Sequence, residues 1–492
     1  MTGRSLGQLT AVVDSVLIGD PSVIVNDVTH DSRQVGPGTL FVAVRGTTTD
    51  GHDFVDRATE SGAVAVCVEK PTTFEVPQLV VPDTRKAMGP LAAEVHDNPS
   101  SHLKLVGVTG TNGKTTVTHY IESITTGAGI KCGLIGTIQT RAAGQVFSSE
   151  RTTPESSDFQ RLLGAMRDLG CGVVAAEVSS HALALDRVAA THFEVAAFTN
   201  LSQDHLDFHG DMKSYLEAKR SLFHDYPVGT SVVNIDDSAG EGLAAGVSGS
   251  LVTVGSGGDA FVDTVRPTPG GTAFRLVTPW GSADVEAPVI GSFNLDNAVM
   301  AAVCSLATGI GFDYVVSGLT TLGGVPGRFE MISDDDPVTV IVDYAHTPEG
   351  VRLAVESARR LNPGRLIALV GAGGDRDRDK RPLMGEAVSG ADLAVITSDN
   401  PRSEDPLEII EAVTAGVTSE LVVEPDRRAA IRMALAAADP GDLVLLLGRG
   451  HEPFQEIAGK YLPFDDREVA RVELVGLRSA TKSDRGDMRI AP

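Results

Sequence analysis

The chain has 492 residues, 42% hydrophobic and 22% charged, proportions of a folded protein but too many residues for one core, so about three domains are expected. Its 41 Lys and Arg stand against 65 Asp and Glu, a formal net charge of −24, which argues against a nucleic-acid or anionic-membrane partner while leaving room for a basic pocket around a small anion. The opening "MTGRSLGQLTAVVDSVL" lacks the apolar stretch of a signal peptide and no run approaches the roughly 20 apolar residues of a membrane span, so a cytoplasmic location is expected.

From about residue 5 to 98, short apolar runs alternate with turns ("LFVAVRG", "GAVAVCVE", "PQLVVPD"), the pattern of a small α/β domain with no nucleotide signature. The scattered Cys67, Cys132, Cys171 and Cys304 read as buried free thiols. At Leu103 the pattern changes: an apolar run to Val108 enters a Gly/Thr turn and leaves through "TTVTHYIESITT", which has helical spacing. A strand, a tight turn and a helix are the setting a phosphate loop requires.

The loop itself, "GVTGTNGKTT", is irregular. The generic G-x-x-x-x-G-K-[ST] pattern puts Gly at position 108, where this chain has Val108. Gly110, Thr111, Asn112 and Gly113 still allow backbone N–H groups close to an anion, Lys114 brings the charge, and Thr115 and Thr116 bring hydroxyls, one of them for magnesium. Further strands are expected at "GVVAAEVSS", "EVAAFTNLS" and "TSVVNIDD", giving a mostly parallel sheet. Beyond the Gly/Pro cluster "TTLGGVPGRFEMI", four buried strands end in polar loops: "VDYAHTPEG", "VGAGGDRDRDKR", "SDNPRSEDP" and "GRGHE". In open α/β sheets, ligands collect at such strand ends. The tail from Arg478 is polar and expected to fray.

"GVTGTNGKTT" resembles the shortened ATP loop of the Mur ligases and the related folylpolyglutamate synthetases, and the resemblance extends through "EVSSHALALDR", "TNLSQDHLDFHGDMKSYLEAKRSLF", "VDYAHTPEG", "GGDRDRDKRPLMG" and "SDNPRSEDP". It covers residues from about 25 to 475 and implies an α/β protein of three domains. These are a small α/β UDP-sugar domain (1–102), a central P-loop-type ATPase domain (103–326) and a C-terminal Rossmann-like amino-acid domain (327–492). The implied activity is ATP-driven addition of an amino acid to a UDP-MurNAc-dipeptide in peptidoglycan precursor synthesis, by a monomer that needs ATP and magnesium.

The same resemblance supplies residue roles. Thr115 and Glu177 would hold an ATP-bound magnesium; Glu177 alone could equally be a solvated strand-end carboxylate. His205 matches the holder of a second ion, and Lys219 matches a lysine that carries CO₂ as a carbamate, turning a cation into an oxygen ligand. From the residues alone, Lys219 would read as a lysine on a helix surface. Asn294 and Asn297 match contacts to adenine, while Arg328 and Asp343 match third-domain groups reaching the nucleotide. Arg376, Asp399, Asn400, Pro401, Arg402, Gly448 and Glu452 match an amino-acid site whose composition suits meso-diaminopimelate: Arg402 for a carboxylate, Asp399 and Glu452 for ammonium groups. His30, Ser32, Thr47, Thr48, Thr49, Thr152, Thr153, Ser179 and Arg187 match contacts to the UDP-sugar peptide, with Leu185 a departure from the polar residue of some relatives. L-lysine or L-ornithine in place of diaminopimelate, a folate ligase, and a P-loop switch without ligase activity remain alternatives.

Overall fold

Short apolar runs bounded by Gly- and Pro-rich turns become the strands of three sheets in the computed structural model, which describes residues 3–46, 49–148, 151–333 and 337–486. Thr47 and Thr48, two of the expected substrate contacts, lie outside the described residues. The first sheet has five strands in the order Val16–Ile18, Gln78–Val80, Ala65–Val68, Thr39–Val42 and Asp27–Thr29, parallel except at Val16–Ile18.

The central sheet has eight strands: Gln145–Phe147, Thr140–Ala142, Cys132–Ile135, Val173–Glu177, Lys104–Thr109, Phe193–Phe198, Val228–Asn234 and Ser250–Val254. The last six run parallel and the first two form an antiparallel hairpin at one edge. Lys104–Thr109 lies in the middle and is buried along all but its first residue, as a strand covered on both faces must be. The helix Lys114–Gly127 packs Val117, Ile121 and Ile124 into the core shared with Ala298, Ala301 and Ala302 of the helix Ser292–Ala307. A three-stranded antiparallel sheet, Phe261–Thr268, Gly271–Thr278 and Gly281–Ala287, was not anticipated from the sequence; Phe274, Leu276 and Val285 tie it to the same core.

The third sheet has the order Glu330–Met331, Thr339–Asp343, Leu443–Leu447, Leu366–Val370, Leu393–Ile396 and Glu420–Val423, antiparallel only at Glu330–Met331. Its parallel strands all deliver their carboxyl ends to one rim. The last helix, Asp466–Gly486, runs on where the polar tail was expected to fray, because Val469, Ala470 and Leu474 dock it on this sheet and propagation adds a hydrogen bond per residue once the helix is anchored. The four cysteines are buried and free, and burial pushes the Cys67 thiol up to about 12. Among the described residues no helix is long and apolar enough to cross a membrane.

Beneath the rim of the third sheet, Arg427 and Asp466 form an ion pair with 0% exposure on either side chain. Arg427 Nη2 also donates to Leu447 O at 2.8 Å and Nη1 to Ser398 O at 3.4 Å, so one guanidinium spans the ends of two strands. Removing one partner strands a buried charge, so Asp466→Ala should lower the stability of this part of the chain by about 3–5 kcal/mol in chemical denaturation, and a loss below about 1 kcal/mol would contradict the reading.

Candidate active site

Val108 occupies the place of the missing loop glycine because it is a core residue: it is fully buried and its carbonyl accepts from Val178 N at 2.8 Å. The turn therefore begins later, at Gly110, whose φ of +142° and a Thr199 Oγ1 only 1.9 Å from where a Cβ would stand leave room for glycine alone. At Gly113, φ is +89° and the corresponding atom is Asn297 Oδ1 at 2.4 Å. The helix Lys114–Gly127 starts directly behind, with its N–H groups opening toward the turn.

Two lysines meet this loop from opposite sides. Lys114 Nζ donates to Gly110 O at 2.9 Å and Thr111 O at 2.8 Å, and Lys219 Nζ donates to the same Gly110 O at 2.8 Å. Lys219, on the helix Met212–His224, is 1% exposed and stands 4.2 Å over the Tyr215 ring, so the surface reading does not hold. Burial and the neighbouring Lys114 hold its amine well below the usual lysine range. Burial lowers Lys114 as well, opposed by Glu177 and Asp204.

Glu177 ends the strand beside the loop strand, in register with Val108, and is 1% exposed. Its Oε2 accepts from Thr115 Oγ1 at 3.0 Å and from Thr137 Oγ1 at 3.0 Å; Oε1 accepts from Thr137 N at 2.9 Å. His205 has a left-handed backbone, φ +54°, uncommon for a residue with a Cβ. Burial is the main reason its imidazole is pushed down to about 3, a neutral form able to offer a nitrogen lone pair.

The third sheet closes the site from above. Arg328 Nη2 donates to Thr115 Oγ1 at 3.1 Å, across 213 residues of sequence, and its guanidinium stacks 4.3 Å over Tyr344. A cavity of about 760 Å³ lies at this junction, with Lys114, Glu177, His205, Asn297, Arg328 and Tyr344 in its wall together with Thr111, Asn112, Gly113, Thr115 and Thr116. Asp343 also lines it, but its carboxylate accepts from Phe329 N at 2.6 Å and Ala345 N at 2.8 Å, so it braces the turn after its own strand. Asn294 is buried, its Nδ2 on Ile290 O at 3.0 Å, and its Oδ1 has no hydrogen-bond partner.

On the same rim, Asp399, Asn400, Pro401 and Arg402 follow the strand Leu393–Ile396, while Gly448 and Glu452 follow Leu443–Leu447. Asn400 Nδ2 donates to Glu452 Oε2 at 2.8 Å and Asn400 N to Asp399 Oδ1 at 2.7 Å; Gly448 N donates to Asp343 O at 3.1 Å. Arg402 takes φ +53°, its Nη1 on Gly374 O at 2.6 Å and its Nε 3.4 Å from Glu456 Oε2. Arg376 is exposed, bonded to the Asp375 carbonyl at 3.1 Å.

The expected UDP-sugar contacts divide: His30 meets the helix Ser156–Asp168, while Thr152 and Ser179 line the same cavity as Lys114 and Glu177. His30 Nδ1 is 3.2 Å from Ser157 Oγ, Ser32 is buried and Thr49 exposed. Thr152 Oγ1 is 2.9 Å from Thr137 Oγ1; Thr153 Oγ1 donates to Glu177 O at 2.7 Å and accepts from Ser179 N at 3.1 Å. Arg187 Nε lies 3.0 Å from Glu155, which also meets Arg85 and Arg151 at 3.0 Å each. The Leu185 carbonyl accepts from Arg85 at 3.3 Å and its N–H donates to His181 O at 3.0 Å.

Several buried polar residues of this region escaped the sequence reading. Asp204, 6% exposed, faces Lys380 Nζ at 3.4 Å and His346 Nε2 at 3.5 Å, joining the central and third sheets. Glu155 and Arg449 were missed too. Asp204 and Lys380 stand inside "SQDHLDFHGD" and "GGDRDRDKR", so the available signal was a charged residue inside a motif already noted; which charge pairs with which depends on contacts 176 residues apart.

Three family descriptions match the chain in order: Mur ligase family, catalytic domain, over 25–96; Mur ligase middle domain, over 108–305; and Mur ligase, glutamate ligase domain, over 327–450. A protein of Geobacillus thermodenitrificans (strain NG80-2) named UDP-N-acetylmuramoyl-L-alanyl-D-glutamate–2,6-diaminopimelate ligase is 44% identical over 466 residues, 92% of this chain and 95% of its own. One of the same name from Aquifex aeolicus (strain VF5) is 44% identical over 94% of this chain and 96% of its own. A solved structure bearing that ligase name superposes with a TM-score of 0.70 at 31% identity, covering 97% of this chain and all of the other. The MurF ligase of Thermotoga maritima in complex with ADP shares the fold, with a TM-score of 0.65 at 20% identity over 94% of this chain and 98% of its own. With this identity sustained along nearly its whole length, the chain belongs to the Mur ligase family.

Proposed function

We propose that the protein is an ATP-dependent ligase that joins meso-2,6-diaminopimelate to the D-Glu unit of UDP-N-acetylmuramoyl-L-Ala-D-Glu in peptidoglycan precursor synthesis. The observation that carries this reading is the contact of Arg328 with Thr115, which puts a third-sheet cation on the phosphate loop at 3.1 Å, beside a rim rich in amino-acid-binding groups. The names of the relatives at 44% identity support the substrate pair.

The D-Glu side-chain carboxylate attacks the γ-phosphorus of ATP; the bond to the β-phosphate oxygen breaks, giving ADP and an acyl phosphate. The free amine of diaminopimelate then adds to the acyl carbon, and the tetrahedral intermediate expels inorganic phosphate as the amide forms. Lys114 and Arg328 bring two positive charges to the transferring phosphoryl group, and the cavity holds the reactants in line, so positioning and electrostatics account for the rate without a nucleophilic side chain.

Thr115 Oγ1 and Glu177 Oε2, 3.0 Å apart at the foot of the loop, are the hard oxygen donors magnesium takes. Among the described residues there is no group of three or more His, Cys, Asp or Glu that could hold a metal ion by itself. Bound there, the ion neutralises phosphate charge. For a second ion, His205 and a carbamate on Lys219 are the proposed holders. The deep burial of Lys219 fits this, because only the neutral amine combines with CO₂ and desolvation favours that form.

Asp399, Glu452 and Arg402 are the proposed partners of the amino acid, with Asn400, Pro401, Gly448 and Arg376 shaping that end. Asn297 and Asn294 are proposed for adenine and Asp343 for ribose. His30, Ser32, Thr49, Thr152, Thr153, Ser179 and Arg187 are proposed for the UDP-sugar dipeptide. The three segments would then divide the work as UDP-sugar, ATP and amino-acid domains of a monomer.

Phosphate release assayed with UDP-MurNAc-L-Ala-D-Glu and, in turn, meso-diaminopimelate, L-lysine and L-ornithine should show turnover with diaminopimelate; robust turnover with L-lysine alone would sink the assignment. Arg402→Met should raise KM for diaminopimelate by about 30- to 150-fold, equivalent to roughly 2–3 kcal/mol for lost charged hydrogen bonds, with KM for ATP unchanged. Lys219→Ala should lose activity that added short-chain carboxylate partly restores, and full activity of the unaided variant would refute the carbamate.

A further inference from the structure

Arg449 has no exposed surface, yet none of the roles assigned above employs it. It stands just past the strand Leu443–Leu447, in "LLGRGHE", pointing beneath the amino-acid rim. Its Nη1 donates to Asn400 Oδ1 at 2.8 Å, and its Nη2 donates to the carbonyls of Phe454 and Phe464, the latter at 3.3 Å. A second donor, Glu456 N, reaches the same Asn400 Oδ1 at 2.8 Å.

These contacts leave the Asn400 amide one orientation. A guanidinium and a peptide N–H can only donate, so the atom they both meet has to be the oxygen, and the NH₂ must face the other way. It faces Glu452, donating to Oε2 at 2.8 Å, and Arg449 Nη1 lies 3.6 Å from that same oxygen. Tyr344 OH approaches the other carboxylate oxygen at 3.4 Å. Burial and the nearby Asp399 favour the neutral acid at Glu452; Arg449 and Asn400 oppose them.

The same guanidinium anchors the hairpin formed by Phe454–Ile457 and Lys460–Pro463. That hairpin holds the backbone of Arg402: Arg402 N donates to Glu456 O at 3.1 Å and Ala458 N donates to Arg402 O at 2.7 Å. A residue with φ +53° persists only where its surroundings hold it, and here the hairpin does so.

We infer that Arg449 is a positioning residue for the incoming amino acid: one buried fork orients Asn400 and Glu452 for its ammonium group and, through the hairpin, aims Arg402 at its carboxylate. This rests on the ligase reading and adds to it a residue that touches no reactant. It also explains a fully buried Arg at a site whose substrate is zwitterionic: both ends of the ligand are registered against one rigid cation.

The test is steady-state phosphate release by the full chain, with meso-diaminopimelate, ATP and the UDP-MurNAc-dipeptide varied in turn, for Arg449→Met and Arg449→Lys. Arg449→Met should raise KM for diaminopimelate at least about tenfold while the other two KM values stay within about twofold, since one charged hydrogen-bond set is lost at one subsite only. Arg449→Lys, which keeps a cationic donor for Asn400 Oδ1, should bring that KM back to within about threefold of the parent. If circular dichroism shows Arg449→Met unfolded, Arg449→Gln takes its place, with an expected rise of at least about fivefold.

An unshifted KM for diaminopimelate, an equal shift in all three, or a folded lysine variant no better than methionine overturns the inference. A parent chain without diaminopimelate-stimulated turnover overturns the ligase reading and the inference with it; parent turnover with unshifted variants overturns the inference alone.

Discussion

Two lysine amines converging on the Gly110 carbonyl are the constraint around which the site is built. The loop can bring its carbonyl to both only because Gly110 takes a backbone conformation closed to residues with a side chain, with Thr199 filling the space a Cβ would need. Placing two cations at one buried point is unfavourable, and burial with the neighbouring Lys114 holds the Lys219 amine well below the usual lysine range, so Lys114 is left to carry the charge. The Lys114 charge and the N–H groups at the start of the helix Lys114–Gly127 are what make this loop fit for an anion of high charge.

The remaining charges are arranged around this pair in layers. Glu177 and Thr115 stand at the foot of the loop, Arg328 arrives over them from the third sheet, and Asp204 links Lys380 and His346 across the same junction. Four residues with a Cβ and left-handed φ, His205, Phe329, Asp375 and Arg402, belong to these converging loops. Such backbone is held by its surroundings. The packed core lies beneath, in the apolar parallel strands, where the buried Arg427–Asp466 pair ties two strand ends together.

Much of this was legible in the chain itself. The parallel strands announce themselves as continuous apolar runs, and the loop through the order of strand, turn and helix around Gly110, Gly113 and Lys114. The hairpin Gln145–Phe147 with Thr140–Ala142 and the antiparallel sheet from Phe261 to Ala287 were not: Ala143-Gly144, Pro269-Gly270 and Pro279-Trp280 mark their turns, but the strands Gln145–Phe147 and Phe261–Thr268 are largely exposed and lack a clear apolar face. Lys219 shows the limit most plainly: on helical spacing it is a surface lysine, and only packing against Gly110 and Tyr215 makes it buried.

The sequence by itself determined what depends on near neighbours: the strand and helix runs, the shortened phosphate loop, and the residue types at each strand end. Tertiary structure alone decided what depends on distant ones: that Arg328 meets Thr115, that Asp204 meets Lys380, and that Arg449 sets the Asn400 amide. Local spacing governs backbone conformation, but the pairing of buried charges is set by which loops of the central and third sheets meet in space, and no pattern within a short window of residues carries that information.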